Sequence, residues 1–307
     1  MDYVKRKLSL KMFSVYILLS VYLVTGCKKD IESKLETEQV QLLDSTNVQL
    51  SVASSSGNTA NTAKFFDAEL DKRRSLSAYA KTSSALSAMV INPNRISIVN
   101  DPVYSSKRKV MLMNVRTQDT GGLTENPRAQ VQTPMDYAEG QEVFVGFSVR
   151  FTKTFWTYFL TFSELYGAPY KGTAPFRLAI QESNIIATSY DGVKQLNLWK
   201  QPMQANVWYD FVYREVLSRD ATKGEVQVWL RKTGEKEYKQ VLATQKMATI
   251  TTANLTGPNY HKLACYYDRA NTYTDATRRS KVTAIQMYFG NHKVGSSFNQ
   301  VAPTILP

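Results

Sequence analysis

The chain has 307 residues, 43% of them hydrophobic, with 38 Lys and Arg against 26 Asp and Glu and a formal net charge of +12. That length can bury a sizeable core, and the positive surplus favours polyanionic partners. Two His and two Cys, one of them Cys27 just behind the N-terminal apolar run, leave the mature chain with two His and one Cys and no zinc-like cluster. No Gly-rich phosphate loop and no Gly-x-Ser-x-Gly elbow is present.

The N-terminus reads as an export signal. Lys5, Arg6, Lys7 and Lys11 form a charged region, and an apolar run follows over 12–24. That run is too short for a bilayer, which needs roughly 20 residues. It closes on Val24-Thr25-Gly26-Cys27, which resembles a bacterial lipobox. The resemblance implies cleavage after residue 26, lipid on the Cys27 sulfur, and a mature chain anchored to a membrane of the bacterial cell envelope. Residues 1–26 hold four Lys or Arg and one acid, so the mature chain keeps 34 basic and 25 acidic residues, a net of +9. Export disfavours nucleic acid as the partner, and an acidic polysaccharide fits both the charge and the location. Cys265 is then the one other cysteine, so no intrachain disulfide is expected. It reads as a small buried apolar residue.

Residues 27–62 are polar, with the low-complexity run Ser54-Ser55-Ser56-Gly57-Asn58-Thr59, and read as a flexible tether. Residues 63–307 read as one domain without internal repeats. A short helix or irregular lead-in is expected over 65–88. Short segments rich in Val, Ile, Tyr, Phe and Trp then recur between Gly, Pro, Asn and Asp. They predict strands at 96–99, 109–115, 128–133, 142–152, 158–164, 176–181 and 185–190. Further strands are predicted at 195–199, 208–217, 225–231, 238–243, 260–267 and 282–288. Val143, Val145, Phe147, Val149 and Phe151 alternate with Phe144, Gly146, Ser148 and Arg150, as a sheet with one buried face requires. No long helical period interrupts the series. The reading is all-β, a single sandwich of jelly-roll type, expected to be monomeric.

The segment Gly257-Pro258-Asn259-Tyr260-His261-Lys262-Leu263-Ala264-Cys265-Tyr266-Tyr267-Asp268 carries most of the functional information. As a strand it places Tyr260, Lys262, Ala264 and Tyr266 on one face and His261, Leu263 and Cys265 on the other. Two phenols and an ammonium around a small residue suit the floor of a groove for an acidic, hydroxyl-rich ligand. The plainer alternative is an amphipathic strand with a wet outer face. The segment resembles the late Tyr-x-Lys-x-Gly-x-Tyr strand of β-jelly-roll polysaccharide lyases of the alginate-lyase and heparin-lyase-I type. That resemblance implies a concanavalin-like sandwich and makes Tyr266 the catalytic acid/base. Ala264 replaces the usual Gly, and Tyr267-Asp268 departs from the usual ending.

The match extends over most of 95–290. The run Glu125-Asn126-Pro127-Arg128-Ala129-Gln130 resembles the Arg-containing strand of heparin-lyase-I-like proteins. It implies that Arg128, Gln130 and Gln132 line the groove, with Arg128 offering bidentate pairing to a uronate carboxylate. Arg177 and Tyr260 are further candidate sugar contacts. Trp208-Tyr209-Asp210-Phe211-Val212 and Gly224-Glu225-Val226-Gln227-Val228-Trp229 resemble the paired central strands, and both tryptophans read as core. Where related lyases carry Gln-x-His-Gly, this chain has Glu164-Leu165-Tyr166-Gly167. A Glu164 carboxylate would repel a uronate unless protonated or paired with Arg128 or Lys262. Tyr166 would replace the histidine as base only if cations lowered its pKa from about 10.

The implied chemistry is β-elimination on a uronic-acid glycan, which needs a carboxylate neutraliser, a base and an acid. Arg128 with Gln130 would neutralise. Tyr266 would be base, acid, or both if proton and leaving oxygen lie on one side of the ring. Lys262 would depress the Tyr266 phenol and hold the adjacent sugar. His261 reads as a core-rim histidine, with a bulge turning it into the groove as the alternative. His292 is placed in a turn after the last strand and given no role. Two other readings stay open: a noncatalytic glycan-binding lipoprotein, and a glycoside hydrolase using Glu164 with Asp210. No cofactor is expected, and no Asp-rich run argues for structural Ca2+.

Overall fold

Strand formation is decided by period-two burial. Val143, Val145, Phe147, Val149 and Phe151 are all buried, while Glu142 and Arg150 between and beside them reach solvent. Branched and aromatic side chains suit such a pleated, half-buried surface. The computed structural model describes residues 65–79, 95–104, 108–119, 126–134, 137–167, 174–191, 193–250, 259–268 and 282–304, all within the unit 57–307.

In chain order the elements are β1 (Phe66–Asp67), α1 (Leu70–Arg73), β2 (Ile96–Asn100), β3 (Lys109–Arg116), β4 (Arg128–Gln132) and β5 (Glu142–Phe151). They continue with β6 (Leu160–Gly167), β7 (Phe176–Gln181), β8 (Asn184–Tyr190), β9 (Gln195–Pro202) and β10 (Trp208–Val216). The last are β11 (Glu225–Lys232), β12 (Lys239–Lys246), β13 (Asn259–Tyr267), β14 (Ala284–Gly295) and α2 (Phe298–Val301). One sheet has the order β12-β11-β10-β5-β14-β3-β2, with β1 beside β14. The other has the order β4-β13-β6-β7-β8-β9. Every pairing is antiparallel. The architecture is a two-sheet jelly-roll sandwich.

The sheets close over an aromatic core. Phe147 meets Phe162 at 6.2 Å and Phe211 at 5.7 Å between ring centroids, and Phe176 meets Tyr213 at 5.6 Å. Burying each such side chain contributes roughly 1.5–3 kcal/mol. The outer face of the larger sheet carries a second, small cluster of Val212, Trp229 and Val301 under α2. Gly146 is required there, because a Cβ would overlap the Val301 carbonyl.

Each of the thirteen expected strands is present; β7 has the expected bounds and the others have shifted ends. The largest shift is in β14, which continues to Gly295 because its far half pairs with β5, through Lys293↔Gly146, Val294↔Val145 and Gly295↔Phe144, and with β1, through Phe66↔Val294 and Asp67↔Lys293. His292 therefore lies in a strand rather than in a turn. Trp208 and Trp229 are buried, but on the outer face of the larger sheet: Arg108 lies 4.3 Å from the Trp208 ring. The lead-in holds β1 and the single-turn α1; its remainder over 80–88 lies outside the described residues. So do the export signal, Cys27, the tether, and Gly257-Pro258.

Candidate functional site

The smaller sheet buries one face and offers the other to a groove of about 830 Å³. On β13, Leu263, Cys265 and Tyr267 enter the core, which turns Tyr260, Lys262, Ala264 and Tyr266 to the groove side. β4 runs in unbroken register beside it, pairing Arg128 with Tyr266, Gln130 with Ala264 and Gln132 with Lys262. On the other side the register slips: Leu263 opposes Ser163, yet Tyr266 opposes Thr161. This bulge turns both Phe162 and Ser163 inward and resets the phase of β6, so that Glu164 and Tyr166 face the groove. A regular β6 continuing from Leu160 and Phe162 would have sent Glu164 into the core.

Two cross-strand rows result. The first runs Arg128, Tyr266, Thr161, Ala179 and Ile186 across five strands. Its short Thr161 and Ala179 leave space beside Tyr266. The second runs Gln132, Lys262, Glu164, Arg177, Thr188 and Asn197 across all six. The groove is lined by Arg128, Gln130, Glu164, Tyr166, Arg177, Lys262 and Tyr266, all singled out in the sequence. Tyr158, Phe159, Tyr190, Gln195, Asn197 and Asp268 also line it and were not. Tyr158 is 52% exposed, an aromatic face at a groove rim.

Two expected contacts lie off the groove lining. Tyr260 is buried with its ring 5.9 Å from that of Tyr166, and burial pushes its phenol up to about 12, with Glu164 adding to the shift. Gln132 is buried at the end of the second row.

Tyr266 is held from three sides. The Asn126 amide Nδ2 donates to its hydroxyl oxygen at 3.4 Å, the Arg128 guanidinium lies 5.9 Å from its ring, and Phe159 meets it edge-on at 5.5 Å and 89°. Arg177 stacks over the other ring of this pair, 5.0 Å from Phe159, and donates to Gln195 Oε1 at 2.9 Å.

Lys262 departs from its expected role. Its ammonium pairs with Glu164 Oε1 at 2.7 Å and sits 3.5 Å from the Tyr166 ring centroid. Both partners of the pair are buried. Lys262 is thus neither a solvated lysine nor the partner of Tyr266, which stands four residues away along β13. The same pair resolves the expected repulsion of a uronate by Glu164, since the carboxylate charge is met within the protein.

The histidines are removed from the groove. His261 Nδ1 and His292 Nε2 share a hydrogen bond of 2.7 Å. His261 Nε2 meets Ser163 Oγ at 2.9 Å, which meets Tyr213 Oη at 3.2 Å, and His292 Nδ1 meets Tyr79 Oη at 3.0 Å. This polar chain lies inside the sandwich. Burial drives both imidazoles toward the neutral form, His292 down to about 3; for His261 the neighbouring His292 and Lys262 add to the effect. The bulge on β13 therefore does not bring His261 into the groove.

The carboxylate pair considered for hydrolysis does not form. Asp210 lies on the larger sheet, bonded to Arg231 at 2.6 Å and Ser148 at 2.6 Å, whereas Glu164 lies on the smaller one. Among the described residues no three His, Cys, Asp or Glu gather as a metal-binding group.

The chain is similar in structure to an endo-β-1,4-glucuronan lyase from the fungus Trichoderma reesei, with TM-score 0.52, 16% identity, and 69% of this chain and 90% of that one covered. It is similar at lower scores to the catalytic domain of a glycoside hydrolase family 131 protein from Coprinopsis cinerea (0.46, 16%, 68% and 80%). It is likewise similar to alginate lyase A1-II', a member of polysaccharide lyase family 7 (0.45, 12%, 67% and 86%). The first of these likenesses speaks to the fold. No curated protein matches the chain. The polysaccharide lyase profile matches residues 58–291, most of the chain, and on that ground the chain belongs to the polysaccharide lyase family.

Proposed function

We propose that the groove cleaves a 4-linked, uronic-acid-containing polysaccharide by β-elimination, with Tyr266 serving as both base and acid. One observation carries this reading. The chain has two histidines, and both are bonded to each other inside the sandwich. A histidine base is therefore out of reach of any ligand in the groove.

Acting as phenolate, the Tyr266 oxygen removes the C5 proton while Arg128 and Gln130 meet the carboxylate, whose charge grows as C5 is deprotonated. The C5–H electron pair becomes the C4–C5 double bond, the C4–O4 bond breaks, and O4 leaves with a proton from the same phenol. One proton moves from C5 to O4, and Tyr266 is returned to its starting state. A single group can do this only where H5 and O4 lie on one side of the ring. That holds for D-glucuronate and D-mannuronate and fails for D-galacturonate, L-guluronate and L-iduronate. The net charge of +12 supports a polyanionic substrate. The lipobox-like Val24-Thr25-Gly26-Cys27 supports work at the cell envelope from a lipid anchor, which mass spectrometry of membrane-extracted protein would test.

The test is ultraviolet absorbance of the unsaturated uronyl product. Purified residues 28–307 are given glucuronan, polymannuronate, polyguluronate and polygalacturonate, with Tyr266→Phe alongside. A rise on either of the first two that disappears in the variant supports the scheme. A rise confined to polyguluronate or polygalacturonate sinks the single-tyrosine mechanism. Retention on an affinity gel without any rise moves the reading to glycan binding.

A further inference from the structure

Tyr266 must present its oxygen to the ligand in a fixed direction, and the chain supplies for that purpose a residue to which the resemblance assigned no role. We infer that Asn126 is a positioning residue for Tyr266, aiming its hydroxyl into the groove and stabilising its ionised form. This rests on the reading of Tyr266 as the acid/base.

The argument begins with the backbone. Asn126 precedes Pro127, whose ring clashes with a helical conformation in the residue before it and keeps that residue extended. Pro127 is itself tied to β13, since its carbonyl accepts the Tyr267 N–H at 3.3 Å. One residue later Arg128 pairs with Tyr266. Asn126 lies just before β4, two residues from Arg128, and the extended backbone carries the strand's alternation back to it. Its amide is thereby delivered to the phenol from 140 residues away in sequence.

The chemistry follows from the donor. An amide NH2 has hydrogens to give and no lone pair to accept with. With Asn126 Nδ2 on one lone pair of the Tyr266 oxygen, the phenol's own hydrogen must point elsewhere, and the open side is the groove. When Tyr266 gives that proton to the leaving O4, the amide remains as a donor to the negative oxygen. Hydrogen bonds to a charged atom are stronger than bonds to a neutral one. At 3.4 Å the bond is long, as such contacts often are before substrate arrives.

The test combines a substrate-free and a kinetic measurement on the protein labelled with 3-fluorotyrosine. The resonance of Tyr266 is identified by its loss in Tyr266→Phe. In Asn126→Ala the pH at which that resonance moves is expected to rise by about one unit relative to the unsubstituted protein. On glucuronan, Asn126→Ala is expected to lower kcat about ten-fold, leave KM within about two-fold, and displace the pH–rate profile upward by the same unit. Asn126→Asp, which retains size but cannot donate when ionised, should behave at least as badly. An unchanged Tyr266 resonance in Asn126→Ala overturns the inference whatever the activity. A displaced resonance without turnover of any polymer, in variant and unsubstituted protein alike, supports the assignment of Asn126 and fails the lyase reading instead.

Discussion

Glu215 provides the sharpest test of the sandwich interior. It continues the inward series Tyr209, Phe211 and Tyr213 on β10, opposite Val143 of β5 and Val226 of β11. It is 1% exposed, and neither carboxyl oxygen has a hydrogen-bond partner among the described residues. Burial pushes its pKa up from 4.5 to about 8. The folded carboxyl therefore keeps its proton through neutrality, whereas the unfolded chain releases it above pH 4.5. Unfolding then sheds a proton, so stability falls as pH rises through that window, by about 1.4 kcal/mol per pH unit. The accumulated cost is roughly 3 kcal/mol at pH 7 and levels off above pH 8 near roughly 5 kcal/mol. Glu215→Gln removes the titration and leaves only an offset that does not depend on pH. Urea unfolding of both proteins between pH 5 and 8.5 should show the variant gaining on the unsubstituted protein steadily across that range. A constant difference would mean that Glu215 ionises as it does in water, and would refute its placement in the interior.

The buried histidine pair works in the opposite direction. Both imidazoles are held neutral in the fold but take protons in the unfolded chain below about pH 6.5. Their contribution is present above that pH and is lost on acidification, by about 1.4 kcal/mol per unit for each ring. In the Glu215→Gln background, unfolding free energy should fall by roughly 4 kcal/mol from pH 6.5 to 5, and His292→Gln should halve the slope; an unaltered slope would place the titration elsewhere. Lys262→Met leaves the buried Glu164 carboxylate without its ammonium and should cost about 3–5 kcal/mol. The double variant Lys262→Met, Glu164→Leu should recover most of that loss in thermal unfolding, and a double variant no better than the single one would dismiss the ion pair as the cause.

Much of the candidate site could be read from residues alone, because strand alternation is a local property. Arg128, Gln130 and Gln132 share a face, as do Tyr260, Lys262, Ala264 and Tyr266, wherever those strands end up in the molecule. What such a pattern leaves open is how far a side chain reaches the ligand. Tyr260 and Gln132 are on the expected face but are covered, Tyr260 by its contact with Tyr166. Asn126 was visible in the same run as Arg128, and its parity was the available signal. Nothing local pointed to the phenol it would meet.

The strands, their buried faces, the all-β class and the tyrosine strand are all legible from local pattern, since each depends on residues a few positions apart. Tertiary structure decided the rest. The bulge that brings Glu164 and Tyr166 to the groove exists only because β6 and β13 pair in a particular register. The ion pair that occupies Lys262 is a product of the same register. The two histidines, 31 residues apart, meet only when β13 and β14 face each other across the core. Contacts between segments so far apart are set by how the sheets pack, and no local periodicity encodes that packing.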